Sequence, residues 1–411
     1  MELINRIFNI NNSLRLNARL VVPVLLLCFI GLVALKSTSV DTLGVHSVFY
    51  KQLIWIFIGI LSFILLQFVR LQILYEFSYI IYLVLVLMLI ITHFMPEINN
   101  ASRWLVFGSI TFQPSELGKM FMVITLSRFL SDYKETFSDH QIIIFSSIIV
   151  LIPALLIALQ PDYGTSVIYL LLLIPMLYWC GVKTKKILIW IFPFISILAA
   201  FNLLTFSIWM AFIIIALLLM KFKTNQIIFN FGLNSLFGLF TPYIWNNMLH
   251  AYHKKRILSL FFPQEGDALG IGYQLFQSKV AIGSGGLLGK GLGEGTQSFL
   301  RFLPIKDSDF ILSVISEEMG FFAILLIITT FIFFIYYNID YAQRIFNKFH
   351  SLNIVGFSSV LYFHMLINLC MVVGLFPVIG LPFPFISYGG SFLLSCFLLV
   401  AIINNIINND I

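Results

Sequence analysis

Long apolar runs separated by short polar breaks set the pattern of this chain from near its start to its end. A helix that crosses the ~30 Å hydrocarbon core of a bilayer needs about 20 apolar residues. Candidate segments of that kind fall at 20–37, 50–69, 72–95, 117–133, 141–159, 165–181, 186–203, 205–221, 227–248, 309–337, 353–376 and 387–407. Within 186–221, Asn202 and Thr205 mark a turn, so this stretch is read as an extra helix pair, either two short spans or one long broken one. The pattern predicts an all-α polytopic membrane protein. It has about 10–12 transmembrane helices in one integral domain covering 1–411, with a long extracytoplasmic loop over 249–308.

Composition removes the soluble alternatives. The chain is 60% hydrophobic and 10% charged, with 44 Phe against 18 acidic residues, whereas soluble domains average roughly 45–50% apolar and about 25% charged. A net charge of +6 would suit nucleic acid, but the basic residues sit between apolar runs, as membrane-loop charges do, so no nucleic-acid partner is expected. Cys28, Cys180, Cys370 and Cys396 all lie in or at the end of apolar segments with no CxxC pair, which suits packing rather than metal or redox chemistry. The polar stretch before the first span is not followed by a small-residue cleavage site, so that span reads as uncleaved.

Lys and Arg set the orientation. Arg6, Arg15 and Arg19 precede the first span. Arg70, the Arg128/Lys134 pair, Lys183 to Lys186, the Lys221/Lys223 pair and the Arg344/Lys348 pair fall on the same side. That side is cytoplasmic, and the other side receives 38–49, 96–116, 160–164, 249–308 and 377–386. The cluster His253-Lys254-Lys255-Arg256 breaks the rule by falling outside. It is either a sign of a miscounted span or a basic patch kept outside for an anionic ligand. Ten of the 25 glycines lie between Gly266 and Gly295. The stretch around Lys290 lacks the spacing of a Walker A loop, so these glycines are expected to make tight turns against the membrane.

Charges inside or beside the apolar segments need a reason, since each costs about 2.5–3.5 kcal/mol on insertion scales. Glu116 and Lys119 open the fourth span in Phe112-Gln-Pro-Ser-Glu-Leu-Gly-Lys119, three residues apart and so on one helix face. They are either an interfacial ion pair that caps a helix or a cation facing a polar cavity. Asp162 in Gln160-Pro-Asp162 is placed to N-cap the sixth span. Asp307, Asp309, Glu317 and Glu318 crowd into twelve residues where the long loop returns to the membrane. Metal ligation, acid–base work and N-capping by Asp309 are all open for them. The seven histidines show no ligand spacing, and His93 and His364, inside spans, suit structural hydrogen bonds.

Four segments taken in order resemble the shape, elongation, division and sporulation family. They are Ser102-Arg-Trp104 with Gln113-Pro-Ser-Glu116 and Lys119; Gln160-Pro-Asp162; Gly272-Tyr-Gln274 through Gln277-Ser-Lys279, Gly295-Thr-Gln-Ser298 and Phe302-Leu-Pro304 to Asp309-Phe310 and Glu317-Glu318; and Pro377 to Pro382 with Ser387-Tyr-Gly-Gly390. The Lys279 and Gly295 segments are more similar to the rod-shape branch than to the division branch. The chain departs from the family pattern at Asp307, where His is usual, at Asp267-Ala268, where Asp-Pro is usual, and in the two added spans.

The resemblance implies a peptidoglycan glycosyltransferase that polymerises lipid II at the outer face of the bacterial cytoplasmic membrane. It also implies a class B penicillin-binding transpeptidase as partner. Asp309 takes the position of the family's essential acid, with Asp307 adding like charge beside it. Lys119, Arg103, Glu116, Gln113, Asp162, Lys279 and Ser387 are the candidate substrate- and pyrophosphate-binding residues. No cofactor is certain, and a divalent cation held by carboxylates is open. The alternative reading is a transporter of lipid-linked sugar, since intramembrane charges and broken helices serve transporters too. A scaffold that only recruits the transpeptidase would tolerate loss of Asp309 and Lys119.

Overall fold

A computed structural model describes residues 15–39, 47–96, 102–107, 110–248, 254, 271–296 and 306–409. Of the sequence features above, His253, Lys255, Arg256, Asp267, Ala268, Ser298 and Phe302 to Pro304 lie outside the described residues.

Every one of the apolar segments carries a helix. The order is α1 (Ala18–Thr38), α2 (Val48–Leu66), α3 (Leu71–Glu76), α4 (Ser78–Thr92), α5 (Pro114–Tyr133), α6 (Asp139–Leu159), α7 (Tyr163–Trp179), α8 (Thr184–Ala199), α9 (Leu203–Leu219), α10 (Thr224–Tyr243), α11 (Ile271–Gly285), α12 (Ile311–Arg344), α13 (Lys348–Val373) and α14 (Gly390–Asn409). The third apolar segment is broken at Phe77 into α3 and α4. No apolar run announced α11, which lies within the stretch read as a loop. A small antiparallel hairpin, β1 (Leu105–Phe107) and β2 (Ile110–Phe112), pairs Val106 with Thr111 and leads straight into α5.

Among the described residues, seven helices are long and apolar enough to cross a membrane: α1, α2, α6, α10, α12, α13 and α14. The shorter α4, α7 and α9 are also apolar. The fold is therefore an all-α membrane bundle. Helix α5 is the informative exception. It carries Glu116, Lys119, Arg128 and Asp132, yet buries most of its length. Helices α4, α6, α7, α13 and α14 pack around it and take the place of lipid. Helices α13 and α14 are likewise buried on nearly all sides. The outer helices show the reverse pattern, with Phe57, Leu65, Leu83, Leu155 and Tyr336 among the large exposed apolar side chains, as a lipid-facing surface requires.

Helices α8, α9 and α10 form an outlying lobe with its own small core of Phe192, Met210, Ile213 and Leu217. Its polar clasp is the Ser196 hydroxyl, which donates to Asn234 Oδ1 at 2.6 Å and accepts from Trp209 Nε1 at 2.9 Å. Helix α8 joins the lobe to α6 and α7. Residues 186–221, the proposed extra pair, fall within this lobe.

Helix α12 has 34 residues, about 51 Å at 1.5 Å per residue, which exceeds the bilayer core. It is divided at Gly320, where φ is 76° and ψ is −174°. The turn over 286–291 closes on this break: Lys290 N donates to Glu317 O, Gly291 N to Glu318 O, and Phe321 N to Gly286 O. A Cβ on Gly320 would sit 2.3 Å from Gly289 N, so glycine is required there both by conformation and by space.

Candidate functional site

The N-termini of α5, α7, α12 and α14 and the C-terminus of α13 meet at one end of the bundle. The opposite end holds the charges read from the sequence as cytoplasmic, including the Lys134–Asp139 and Lys186–Asp139 pairs and the Lys348–Glu135 pair. The sequence-predicted site residues are thus gathered at the face assigned to the exterior.

Two polar clusters lie there, joined along α5. In the first, Asp162 caps α7 by accepting from Thr165 N at 3.4 Å. Its other oxygen accepts from Gln113 Nε2 at 2.7 Å, and Arg103 Nη1 lies 3.7 Å from Oδ1. The Asp162 side chain is nearly buried while that of Arg103 is one-third exposed, so the guanidinium forms the rim. Gln113 also donates to the Ser115 hydroxyl at 3.1 Å. Proline at the first position of α5 gives up no needed hydrogen bond and fixes the chain as it enters the helix.

In the second cluster, one turn deeper, Lys119 is only 1% exposed. Its ammonium lies 2.6 Å from Glu116 Oε2 and 2.8 Å from His364 Nε2, with the Phe392 ring centroid 5.2 Å away. The (i, i+3) spacing places both charges on one face of α5. Burial makes that pairing obligatory, since an uncompensated charge there would be far more expensive than the pair. The Ser395 hydroxyl donates to Glu116 O at 2.8 Å, fixing the first turn of α5 against α14.

The acidic turn is tied to α13, the helix that also carries His364 of the second cluster. The residue at the N-cap of α12 is Phe310, whose side chain makes no capping hydrogen bond, and Asp309 stands one residue before it. Ser308 Oγ donates to Asp309 Oδ1 at 3.2 Å. The other carboxylate oxygen lies 3.3 Å from where a Cβ on Gly380 would be, so the absence of a side chain at Gly380 leaves room for the acid. Asp309 remains partly exposed.

The backbone of the turn is held at three points. Asn368 Nδ2 donates to Asp309 O at 3.0 Å, Ser387 Oγ donates to Ser308 O at 2.6 Å, and Tyr388 N donates to Asp307 O at 2.9 Å. Burial, and then the charge of Asp307, push the Tyr388 phenol above its ordinary value. Ser387 is fully buried and its Oγ also accepts from Phe383 N at 2.8 Å. Its hydroxyl is committed to the protein, and its place is behind the turn.

Lys279 is exposed on α11, with its ammonium over Gly374, the left-handed cap of α13. A cation there complements the carbonyl end of α13. One residue before it, Ser278 holds α11 to its neighbours through Ser313 Oγ at 2.8 Å and Val372 O at 2.8 Å. Glu317 is fully buried and is paired with Lys290 at 2.8 Å and with the Thr296 hydroxyl at 3.0 Å, so it supports the glycine turn. Of the basic cluster, Lys254 is described; its ammonium lies 3.4 Å from Asn246 O.

Among the described residues, no group of three or more His, Cys, Asp or Glu side chains is placed to hold a metal ion. The partly exposed carboxylate of Asp309 suits proton removal from a hydroxyl, and the cations at this end of the bundle suit a diphosphate. The sequence offers His364 only a structural hydrogen bond and gives Asn368 no role. They face Lys119 and Asp309 from one side of α13, four residues apart, and no local spacing announces contacts made across the fold.

Comparison with known proteins gives one consistent answer. The family model described as cell cycle protein, covering FtsW, RodA and SpoVE, matches residues 18–206 and 184–410. The peptidoglycan glycosyltransferase MrdB of Escherichia coli K12 is 31% identical over 317 residues, covering 76% of this chain and 73% of its own. The stage V sporulation protein E of Bacillus subtilis is 30% identical over 397 residues, covering 94% and 95%. Among solved structures, a chain from a peptidoglycan synthase complex that coordinates polymerisation and crosslinking superposes with a TM-score of 0.73. It is 23% identical and covers 97% of this chain and 99% of that one. The rod shape determining protein RodA of Thermus thermophilus gives a TM-score of 0.63 at 22% identity, covering 97% and 98%.

Proposed function

The chain belongs to the cell cycle protein family of FtsW, RodA and SpoVE, and from that premise we propose that it is a peptidoglycan glycosyltransferase. It polymerises lipid II at the outer face of the bacterial cytoplasmic membrane and serves cell elongation and shape. The observation that carries the reading is the Asp309 turn. A partly exposed carboxylate sits on a turn held by Asn368, Ser387 and Tyr388, at the end of the bundle that also holds the fixed cations Arg103 and Lys119.

Asp309 is the general base. A sugar hydroxyl of one lipid-linked disaccharide forms a C–O bond to the anomeric carbon of another, and its proton passes to the Asp309 carboxylate. The bond between the anomeric carbon and the diphosphate breaks, and the electron pair leaves with the lipid pyrophosphate. A weak nucleophile gains from a base positioned in this way, typically by 10²–10⁴-fold (about 3–5 kcal/mol).

Lys119 and Arg103 stabilise the charge that develops on the leaving diphosphate, and Lys279 attracts it from the rim. Glu116 holds Lys119 in place, Asp162 and Gln113 hold Arg103, and Ser387 holds the base-bearing turn. The Lys119 ammonium has three donors, of which Glu116 and His364 take two. The third is the one offered to phosphate oxygen. A divalent cation, where one takes part, would be held by substrate phosphates together with Asp309. The natural partner is a class B penicillin-binding transpeptidase, which crosslinks the strands as they emerge.

Purified protein supplied with lipid II in detergent tests the reading. Glycan polymer is the expected product. A transporter would yield none, having no membrane to cross.

A further inference from the structure

We propose that His364 is a positioning residue for glycan polymerisation: through the lone pair of Nε2 it fixes the direction of the Lys119 ammonium toward the leaving diphosphate. The inference rests on the glycosyltransferase reading above and adds a residue to it.

Lys119 and Glu116 alone would form an ion pair on the face of a single helix. An ammonium so placed is free to swing about the carboxylate, and its remaining donors have no set direction. His364 supplies a second anchor from α13, at 2.8 Å. An ammonium has donors and no acceptor, so the imidazole must present an unprotonated Nε2, with its proton on Nδ1.

The ring itself has little freedom. It is fully buried and lies against Phe392 of α14 with centroids 4.7 Å apart. The same Phe392 ring lies under the ammonium at 5.2 Å. Three helices therefore converge on one cation: α5 through Glu116, α13 through His364 and α14 through Phe392. With two donors committed to different helices, the third points along one remaining direction.

The position of His364 on α13 also ties the cation to the base. Asn368 stands one turn further toward the exterior on the same helix and holds Asp309 O at 3.0 Å and Leu381 O at 2.6 Å. The anchor of the cation and the anchor of the turn that bears the carboxylate are thus one helical turn apart on α13. An error of about 1 Å at such a site costs on the order of 10²-fold in rate.

The chemistry of the acceptor makes the proposal separable from simple packing. A Gln amide oxygen occupies roughly the place of imidazole Nε2, whereas the Asn oxygen reaches only the place of Nδ1. His364→Gln should keep the acceptor and polymerise within about threefold of wild type. His364→Asn and His364→Met, which offer no acceptor at that place, should lower kcat by about tenfold or more and leave KM for lipid II within about twofold.

The measurement is steady-state polymerisation in detergent by the wild type, these three variants and Asp309→Asn, with thermal melting and gel filtration of each. Equal kcat in the Gln and Asn variants, both folded, overturns the positioning role and leaves the glycosyltransferase reading standing. If the Met variant does not fold, the Gln–Asn comparison still decides. Polymer from wild type with none from Asp309→Asn shows that the parent reading holds in the same assay. An inactive wild type removes that reading and this inference together.

Discussion

The side-chain amide of Asn368 donates to the backbone carbonyls of both Asp309 and Leu381, at 3.0 and 2.6 Å. One buried side chain of α13 thereby joins the acidic turn before α12 to the segment that leads into α14. Substituting Asn368 by Leu removes both donors and leaves two inward carbonyls without them. Each buried group left unsatisfied costs about 1–3 kcal/mol. The variant should melt at lower temperature and lose at least about tenfold in kcat, because the carboxylate is no longer held in register. Melting curves and initial polymerisation rates check both parts.

Lys119 and Glu116 should separate stability from activity. Lys119→Met leaves Glu116 buried without its partner, and breaking a buried pair from one side costs about 3–5 kcal/mol. Adding Glu116→Gln removes the stranded charge. The double variant should therefore recover most of the thermal stability lost by Lys119→Met while remaining inactive. Recovery of polymerisation in the double variant would show that the cation is structural.

Ser387 acts from behind the turn, with its hydroxyl donating to Ser308 O and accepting from Phe383 N. Ser387→Ala should cost about 1–3 kcal/mol of stability and lower kcat, with KM for lipid II nearly unchanged since the hydroxyl does not face the site. A large rise in KM alone would instead make it a substrate contact.

Gly320 meets the backbone of the 286–291 turn where a Cβ has no room. Gly320→Ala should unseat that turn, loosening the Lys290–Glu317 pair beneath it. The expected sign is a loss of more than about 2 kcal/mol, combining a clash with a strained positive φ. Proteolysis near Gly291 in the folded protein, faster than in wild type, is the direct readout.

Much of this was legible in the residue pattern, for reasons that are local. Apolar runs of bilayer length placed the helices. The three-residue spacing of Glu116 and Lys119 put both on one face, and Asp162 ahead of α7 read as a cap. What was not legible depends on contacts between distant parts of the chain. His364 meets Lys119 across 245 positions, and a histidine within an apolar segment gives no sign of which helix it faces. Asn368 and Ser387 reach the acidic turn in the same way. The sequence leaves Asp309 open as base, metal ligand or helix cap, and its carboxylate lies by Gly380, which no rule of local sequence relates to it. Helix α11 has too few apolar residues in its Gly-rich sequence to stand out. It is held by the Ser278 contacts to α12 and α13 rather than by its own periodicity.

The central claim is that the Asp309 carboxylate removes a proton from the attacking sugar hydroxyl. Its most direct test is polymerisation of lipid II in detergent by purified wild type and Asp309→Asn, matched for folding by thermal melting. The Asn side chain keeps the size and can still accept from Ser308, but is far too weak a base. Long glycan strands from wild type and none from the folded variant is the predicted result. Strands formed by Asp309→Asn at the wild-type rate would contradict it.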